Sequence, residues 1–203
     1  MNFRGRLHAK YVHSRRVRVL RDSLSQLIPS NSTVLDVGCG DGLISSLIMD
    51  QRPDVQLSGI DVLVRGETLI SVSHFNGREI PFPDKSFDAV MFVDVLHHTD
   101  DPTILLREAT RVAKKFILVK DHRRNGLLAG PILRLMDWVG NAHHGVALPY
   151  NYWPHDRWRQ GFSELNLKVN DWKQDLQLYP LMANWVFGRS LHFIARLDVN
   201  PTA

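Results

Sequence analysis

The stretch "VLDVGCGDG", Val34 to Gly42, narrows the folds open to this chain more than any other feature. Thr33 to Val37 is β-branched, apolar and nearly without charge, the pattern of a buried strand. Three glycines then alternate with Cys39 and Asp41, and glycine lets a backbone take positive φ and come close to a ligand. Beyond them Leu43, Ile44, Leu47 and Ile48 recur at helical spacing. The turn therefore joins a strand to a helix N-terminus, where unpaired N–H groups favour a polar or anionic partner.

The rest of the chain continues the alternation. "RRVRVLRDSLSQLIP" puts Val17, Leu20, Leu24 and Leu27 on one helical face and ends at Pro29. Val55 to Val62 reads as a second strand ending in an acid, and "SVSHFNG" as a short third strand closed by the Pro81–Asp84 turn. Phe87 to Val93 supplies a fourth strand and "KFILVKD" a fifth. Between those two, Asp101 and Pro102 open a helix, with proline at an early position where its missing N–H costs nothing. Such alternation predicts an α/β fold, a doubly wound and mostly parallel sheet covered on both faces.

After the fifth strand the character changes. "GLLAGPILRLMDWVGNAHHGVALPYNYWP" is apolar, aromatic and glycine-containing, and reads as a helical, aromatic insertion. "HDRWRQGFSELN" reads as a further helix, and "LKVNDWKQDLQLY" and "RSLHFIARLDV" as two late strands. With no repeat, linker or low-complexity tract, the 203 residues are expected to form one domain. Residues 1–30 would hold the N-terminal helix and residues 122–165 a lid on the substrate side.

Hydrophobic content of 44% and charged content of 23% are those of a soluble globular protein. The single Cys39 allows no internal disulfide and fits a reducing cytoplasm. No signal-peptide pattern opens the chain, and no apolar run approaches the ~20 residues that span a bilayer. A net charge of +4 would admit a nucleic-acid partner. Yet Lys and Arg are scattered and no RNA-binding signature appears, so a small-molecule acceptor is the expectation. Nothing in the sequence sets the oligomeric state.

In open α/β sheets, ligands sit beyond the carboxyl ends of the strands at the switch point. That places Gly38–Gly42, Asp61 and Asp94 round one pocket. Asp61 follows the glycines by about 20 residues, the distance at which an acid can take both ribose hydroxyls. A nicotinamide dinucleotide and S-adenosylmethionine both satisfy this much. The glycine spacing separates them: it is G-x-G-x-G, with Leu43 where a dinucleotide fingerprint has its third glycine. Asp36 and Asp41 would repel a pyrophosphate but suit the α-ammonium of a methionine group.

With "VLDVGCGDG", "GIDV", "IPFPDKSFDAVMFVDVLHH" and "TILLREATRVA" in this order, the chain resembles the class I S-adenosylmethionine-dependent methyltransferases, small-molecule (type 11-like) branch. The resemblance covers about residues 15 to 121 and implies a Rossmann-like fold, with S-adenosyl-L-methionine as donor and S-adenosyl-L-homocysteine as product. It implies that Asp36, Gly38, Cys39 and Gly40 cradle the methionine part and that Asp61, with Val62 beside it, takes the ribose. Asn76 and Gly77 stand where the family normally has an acid facing the adenine. It also implies that Tyr11, His13 and Arg16 on the leading segment close over the cofactor carboxylate. Two departures shorten the scaffold: too few residues separate Asp61 from His74 for a full crossover helix, and "VAKKF" replaces a longer turn before strand five.

Methyl transfer from a sulfonium is an in-line displacement, so positioning can supply most of the rate, up to ~7–11 kcal/mol. A base is needed only where the acceptor must lose a proton. His97 and His98, just past strand four, are candidates, as are Asp121 and His122 after Lys120. Neighbours on a strand point opposite ways, so at most one of Asp121 and His122 is expected to face the site. Asp94 either touches a ligand or bonds loop N–H groups. His97, His98, Asp100 and Asp101, or His143 and His144, are ligand types without metal-motif spacing, and no metal is expected. Tyr150, Tyr152, Trp153 and Trp158, beside Asn151 and His155, either grip an apolar acceptor or plug the core beneath the lid. Cys39 reads as a small packing residue as well as part of the turn. Two rival functions remain: a nicotinamide-dependent oxidoreductase and a non-catalytic cofactor-binding subunit of a partner enzyme.

Overall fold

The computed structural model describes residues 15–141, 149–188 and 191–199. A helix over residues 15–25 (α1) leads into β1 (Thr33–Val37), α2 (Leu43–Gln51), β2 (Gln56–Asp61), β3 (Val72–His74) and β4 (Phe87–Val93). A 3-10 turn (Leu96–His98), α3 (Pro102–Val112) and β5 (Ala113–His122) follow. The second part runs through α4 (Ala129–Asn141), α5 (His155–Glu164), β6 (Lys168–Gln174), a short helical segment over residues 181–188, and β7 (His192–Asp198).

The strands form one sheet in the order β3-β2-β1-β4-β5-β7-β6. The first five elements of that order pair in parallel, and β7 runs antiparallel between β5 and β6. This is the expected mostly parallel, Rossmann-like α/β sheet. Chain order reverses between β1 and β4, so the switch point falls at their carboxyl ends. β7 starts at His192 opposite His122, the last residue of β5, which brings a later element to the same edge.

β1 and β4 read as apolar runs because both their faces are covered. Leu20 and Leu24 of α1 and Ile48 of α2 pack on one face with Val34, Met91 and Leu118. Leu105, Leu106 and Ala109 of α3, with Trp158 and Phe162 of α5, pack on the other with Leu35, Val90 and Ile117. Asp101 caps α3 by accepting the Thr103 N–H at 2.9 Å, with Pro102 in the first turn. Both expected shortenings are present: among the described residues no helix separates β2 from β3, and α3 passes directly into β5. Among the described residues no helix is long and apolar enough to cross a membrane.

Candidate cofactor and active site

The glycine turn is the first half of the site. Gly38, Gly40 and Gly42 all take positive φ. At Gly38 a Cβ would lie 2.6 Å from a Val95 methyl, and at Gly42 2.4 Å from Ile70, so no side chain fits either position. The turn's donors are turned inward. Gly38 and Cys39 N–H bond the Ile60 carbonyl at 2.7 and 3.3 Å, and Gly42 N–H bonds the Cys39 carbonyl at 3.0 Å. Gly40 N–H meets an Asp61 oxygen at 2.8 Å, and Leu43 N–H meets Asp41 at 3.1 Å. A strand–turn–helix of this sequence was expected to present unpaired N–H groups to a polar or anionic partner. Five of its donors are engaged instead, and what the turn presents is carboxylate.

Asp36 carries that character inward. It is 3% exposed; one oxygen accepts the Ser45 hydroxyl at 2.6 Å, and Oδ1 has no hydrogen-bond partner among the described residues. Burial, reinforced by nearby Asp61, pushes its carboxyl up to about 7 despite the Ser45 bond. Asp61 holds the Gly40 N–H on one oxygen and the Leu63 N–H, at 2.8 Å, on the other. A carboxylate has about four lone-pair sites, so each oxygen retains one. Burial and the carboxylates of Asp36 and Asp61 push the Cys39 thiol up, and its sulfur lies 2.3 Å from where a Gly59 Cβ would stand. The side chain of Cys39 is thus packing under the turn, and only its backbone belongs to the cradle. Arg65, which the sequence did not single out, lies over Gly40 and 3.5 Å from Asp41.

Val62 is 54% exposed, and its methyl lies 3.1 Å from a would-be Gly77 Cβ, so the two form one side of the turn's mouth. Asn76 bends back on its own chain, its oxygen accepting the Arg78 and Glu79 N–H groups at 2.9 and 2.8 Å. Its amide nitrogen takes no part in these bonds. Tyr11 and His13 lie outside the described residues.

The second half of the site, at the ends of β4 and β5, is ionic. Asp94 takes a φ of 59° just past β4, with Lys120 on one carboxylate oxygen and the Arg16 guanidinium on the other. Asp94, expected to touch a ligand or bond loop N–H groups, holds one side-chain cation on each oxygen. Arg16 likewise serves this pair. Burial opposes the charge on Asp94, but Lys120 and Arg16 outweigh it and hold the carboxyl well below its usual range. Burial and the Lys120 charge push His122 down to about 4 and His192 well below its usual value, so both rings are neutral.

His97 sits across from them, fully buried, its Nδ1 2.6 Å from Asp121 Oδ1 and its Nε2 3.5 Å from Asp137 Oδ1 on α4. Burial would lower its pKa; Asp121, helped by Asp137, overrides burial and raises it to about 10. An imidazolium has no lone pair to take a proton, which sets His97 apart from a general base. Asp121 also accepts the Leu96 and His122 N–H groups at 2.9 and 2.6 Å, fastening the 3-10 turn to β5. His98 has a side chain 16% exposed and is neutral, its pKa lowered by burial and by the charged His97.

Asp121 and His122 were expected to face opposite ways. Both reach His97: His122 Nδ1 lies 3.4 Å from His97 Nδ1, and their rings are 4.5 Å apart. The alternation rule lapses at the last residue of a strand, where no further pairing holds the side chain perpendicular to the sheet.

The lid aromatics divide. Trp158 is fully buried, donates to the His122 carbonyl at 3.0 Å and stacks near Trp153 in the core. Tyr150 and Tyr152 instead line a cleft of about 480 Å³ with Arg124, Gly130, Pro131 and Arg134. Tyr152 donates to Asp137 at 2.7 Å and lies 5.5 Å from the His97 ring, so the cleft adjoins the ionic cluster. Asn151 donates to the Thr99 and Asp100 carbonyls, both at 3.0 Å, tying the lid to the loop after β4. His155 stacks edge-on against Trp172, apart from the cleft. His143 and His144 lie outside the described residues.

Asp137 and His192 were missed in the sequence. Asp137 left a signal, a lone acid within the apolar "GPILRLMDWVG". His192 left none, because its place depends on antiparallel pairing with β5.

Known proteins share this fold and parts of this sequence. A methyltransferase-domain family matches residues 35–116. The chain is 28% identical over 110 residues to 27-O-demethylrifamycin SV methyltransferase of Amycolatopsis mediterranei, covering 47% of this chain and 40% of that one. It is 29% identical over 143 residues to 2-methyl-6-phytyl-1,4-hydroquinone methyltransferase of a Synechocystis strain, covering 66% of this chain and 40% of that one. The matched stretch thus spans well under half of these relatives' length. Among solved structures, a protein of Bacillus halodurans described as a putative methyltransferase shares the fold at a TM-score of 0.63 and 18% identity, covering 90% of this chain and 99% of that one.

Proposed function

We propose that this chain, which carries a class I S-adenosylmethionine-dependent methyltransferase domain, methylates a small planar or lipophilic acceptor, with residues 122–165 as the lid of one domain. The observation that carries the reading is the buried, partnerless oxygen of Asp36 beside a turn in which the Gly38, Cys39, Gly40 and Gly42 N–H donors are engaged. A pyrophosphate needs free donors and no carboxylate; a group ending in an α-ammonium needs the reverse. When bound, S-adenosylmethionine supplies an electrophilic methyl group on a sulfonium.

Asp36 would receive the ammonium, and the backbone of Gly38 to Gly40 would lie along the methionine chain. Asp61 would accept the ribose hydroxyls on its remaining lone pairs while keeping the Gly40 and Leu63 N–H bonds. Val62 and Gly77 would border the adenine, with the Asn76 amide nitrogen toward its edge. The cleft formed by Pro131, Tyr150 and Tyr152 suits a ring or an apolar chain, and Arg124 and Arg134 suit an acidic or oxygen-bearing substituent. Two relatives named for hydroquinone and rifamycin substrates support an acceptor of that kind. His97, Asp121 and His122 would act as positioning residues that hold the loop after β4 against β5. Rate would then come from orientation and exclusion of water rather than from a strong base.

Calorimetric titration with S-adenosylmethionine, S-adenosylhomocysteine and NAD in parallel tests the cofactor: the first two are expected to bind and NAD to give no heat. NAD binding alone would overturn it. Transfer of radiolabelled methyl to a panel of hydroquinones, phenols and tRNA tests the acceptor, and labelling of tRNA alone would overturn that part.

A further inference from the structure

We propose that His97, His98 and Asp137 form a binding site for one divalent transition-metal ion of the zinc type, which pins the lid helix α4 to the end of β4. The proposal stands on geometry and is independent of the identity of the methyl acceptor. Asp137 Oδ1 lies 3.5 Å from His97 Nε2 and 3.7 Å from His98 Nε2. The three residues each offer a ligand atom within 4.8 Å of the others. Ligands about 2.0–2.2 Å from a tetrahedral ion stand roughly 3.3–3.6 Å from one another, so both edges to Asp137 are near that spacing and the edge between the two imidazoles would close on the ion.

The surroundings are those of a metal site. His97 Nε2 is buried without a hydrogen bond, 3.5 Å from Asp137; it carries the second proton of the imidazolium, which the ion would replace, so binding would release one proton. Its other nitrogen meets Asp121 at 2.6 Å, and a metal-ligating histidine almost always gives its second N–H to such a carboxylate. Asp137 is steadied on its far oxygen by the Tyr152 hydroxyl at 2.7 Å. Asp121 and Asp137 together balance a dication in a buried place.

Two other groupings of potential ligands among the described residues do not compete. Asp94, His122 and His192 surround the Lys120 ammonium and the Arg16 guanidinium, which would repel a cation. In the set of His97, Asp121 and His122, the Asp121 oxygens already hold His97 and two backbone N–H groups. The trio with Asp137 joins the 3-10 turn after β4 to α4, and Tyr152, which lines the cleft, bonds its carboxylate. An ion there would fix the angle of α4 and thereby the width of the cleft.

The test is titration of chelator-treated protein with Co2+, read by visible absorption, and competition with Zn2+. One equivalent per chain is expected, with the bands of a low-coordinate site and displacement by Zn2+. His98→Ala and Asp137→Asn should each weaken binding at least tenfold, and Asp121→Asn by about 10–100-fold. If a variant fails to fold, paramagnetically shifted proton resonances of the Co2+-loaded native protein decide the matter: two imidazole rings are expected. Absence of stoichiometric binding, binding undiminished in folded His98→Ala and Asp137→Asn proteins, or shifted resonances of fewer than two imidazoles would each overturn the site.

Discussion

At the ends of β1 and β2, Asp36 keeps a buried oxygen with no partner and a carboxyl raised to about 7, and the nearby backbone donors are turned away from the opening. At the ends of the neighbouring strands β4 and β5, Asp94 and Asp121, with Asp137 reaching over from α4, each meet a cation or an imidazole and are held low. Both clusters stand at carboxyl ends of parallel strands. The difference between them is whether the charge is answered inside the protein. An answered charge fixes backbone, as Asp121 does for the 3-10 turn; an unanswered one is poised for a ligand. The contrast separates positioning from binding more clearly than residue type does, since both edges are built from aspartates.

Four measurements test this contrast. The largest effect belongs to the lid. Trp158→Ala should cost about 3–5 kcal/mol of stability in urea unfolding, because the ring is fully buried and its N–H bond to His122 is lost. A loss within experimental error would return Trp158 to the list of acceptor-gripping residues. Next, Asp121→Asn strips the charge from His97 inside the protein and should cost about 3 kcal/mol, read by the same unfolding curve. A stable variant would mean that the ionic edge does not hold the loop.

The third concerns Asp36. Its folded pKa lies above the ordinary carboxylate value, so the stability it contributes is full below about 4 and is lost as pH rises through about 7. A ligand ammonium prefers the ionised form, so affinity for S-adenosylhomocysteine should rise about tenfold from pH 6 to pH 8. Calorimetry across that range should show the rise in the native protein and a flat profile in Asp36→Asn; a flat native profile would remove the ammonium from Asp36. The smallest effect is at the ribose position: Asp61→Ala should weaken S-adenosylmethionine binding by at least ~1 kcal/mol. Unchanged affinity would mean that β2 does not end at the cofactor.

The sequence by itself determined most of the scaffold. β4 over Phe87–Val93 and α3 over Pro102–Val112 are local statements, set by runs of apolar residues, by Asp101 as a cap and by Pro102 in the first turn. The turn at Gly38–Gly42 was legible for the same reason, since positive φ and the crowding of Val95 and Ile70 admit only glycine. Its polarity was not, because the carbonyl that captures the Gly38 and Cys39 N–H groups comes from Ile60, on another strand. Tertiary structure alone decided which aspartate is answered. Asp94 meets Arg16 from α1 and Lys120 from β5, and His97 meets Asp137 from α4, pairings between residues 78, 26 and 40 positions apart. Local pattern marks where a charge stands; only the packing of distant elements settles what stands opposite it, and hence its protonation and its role.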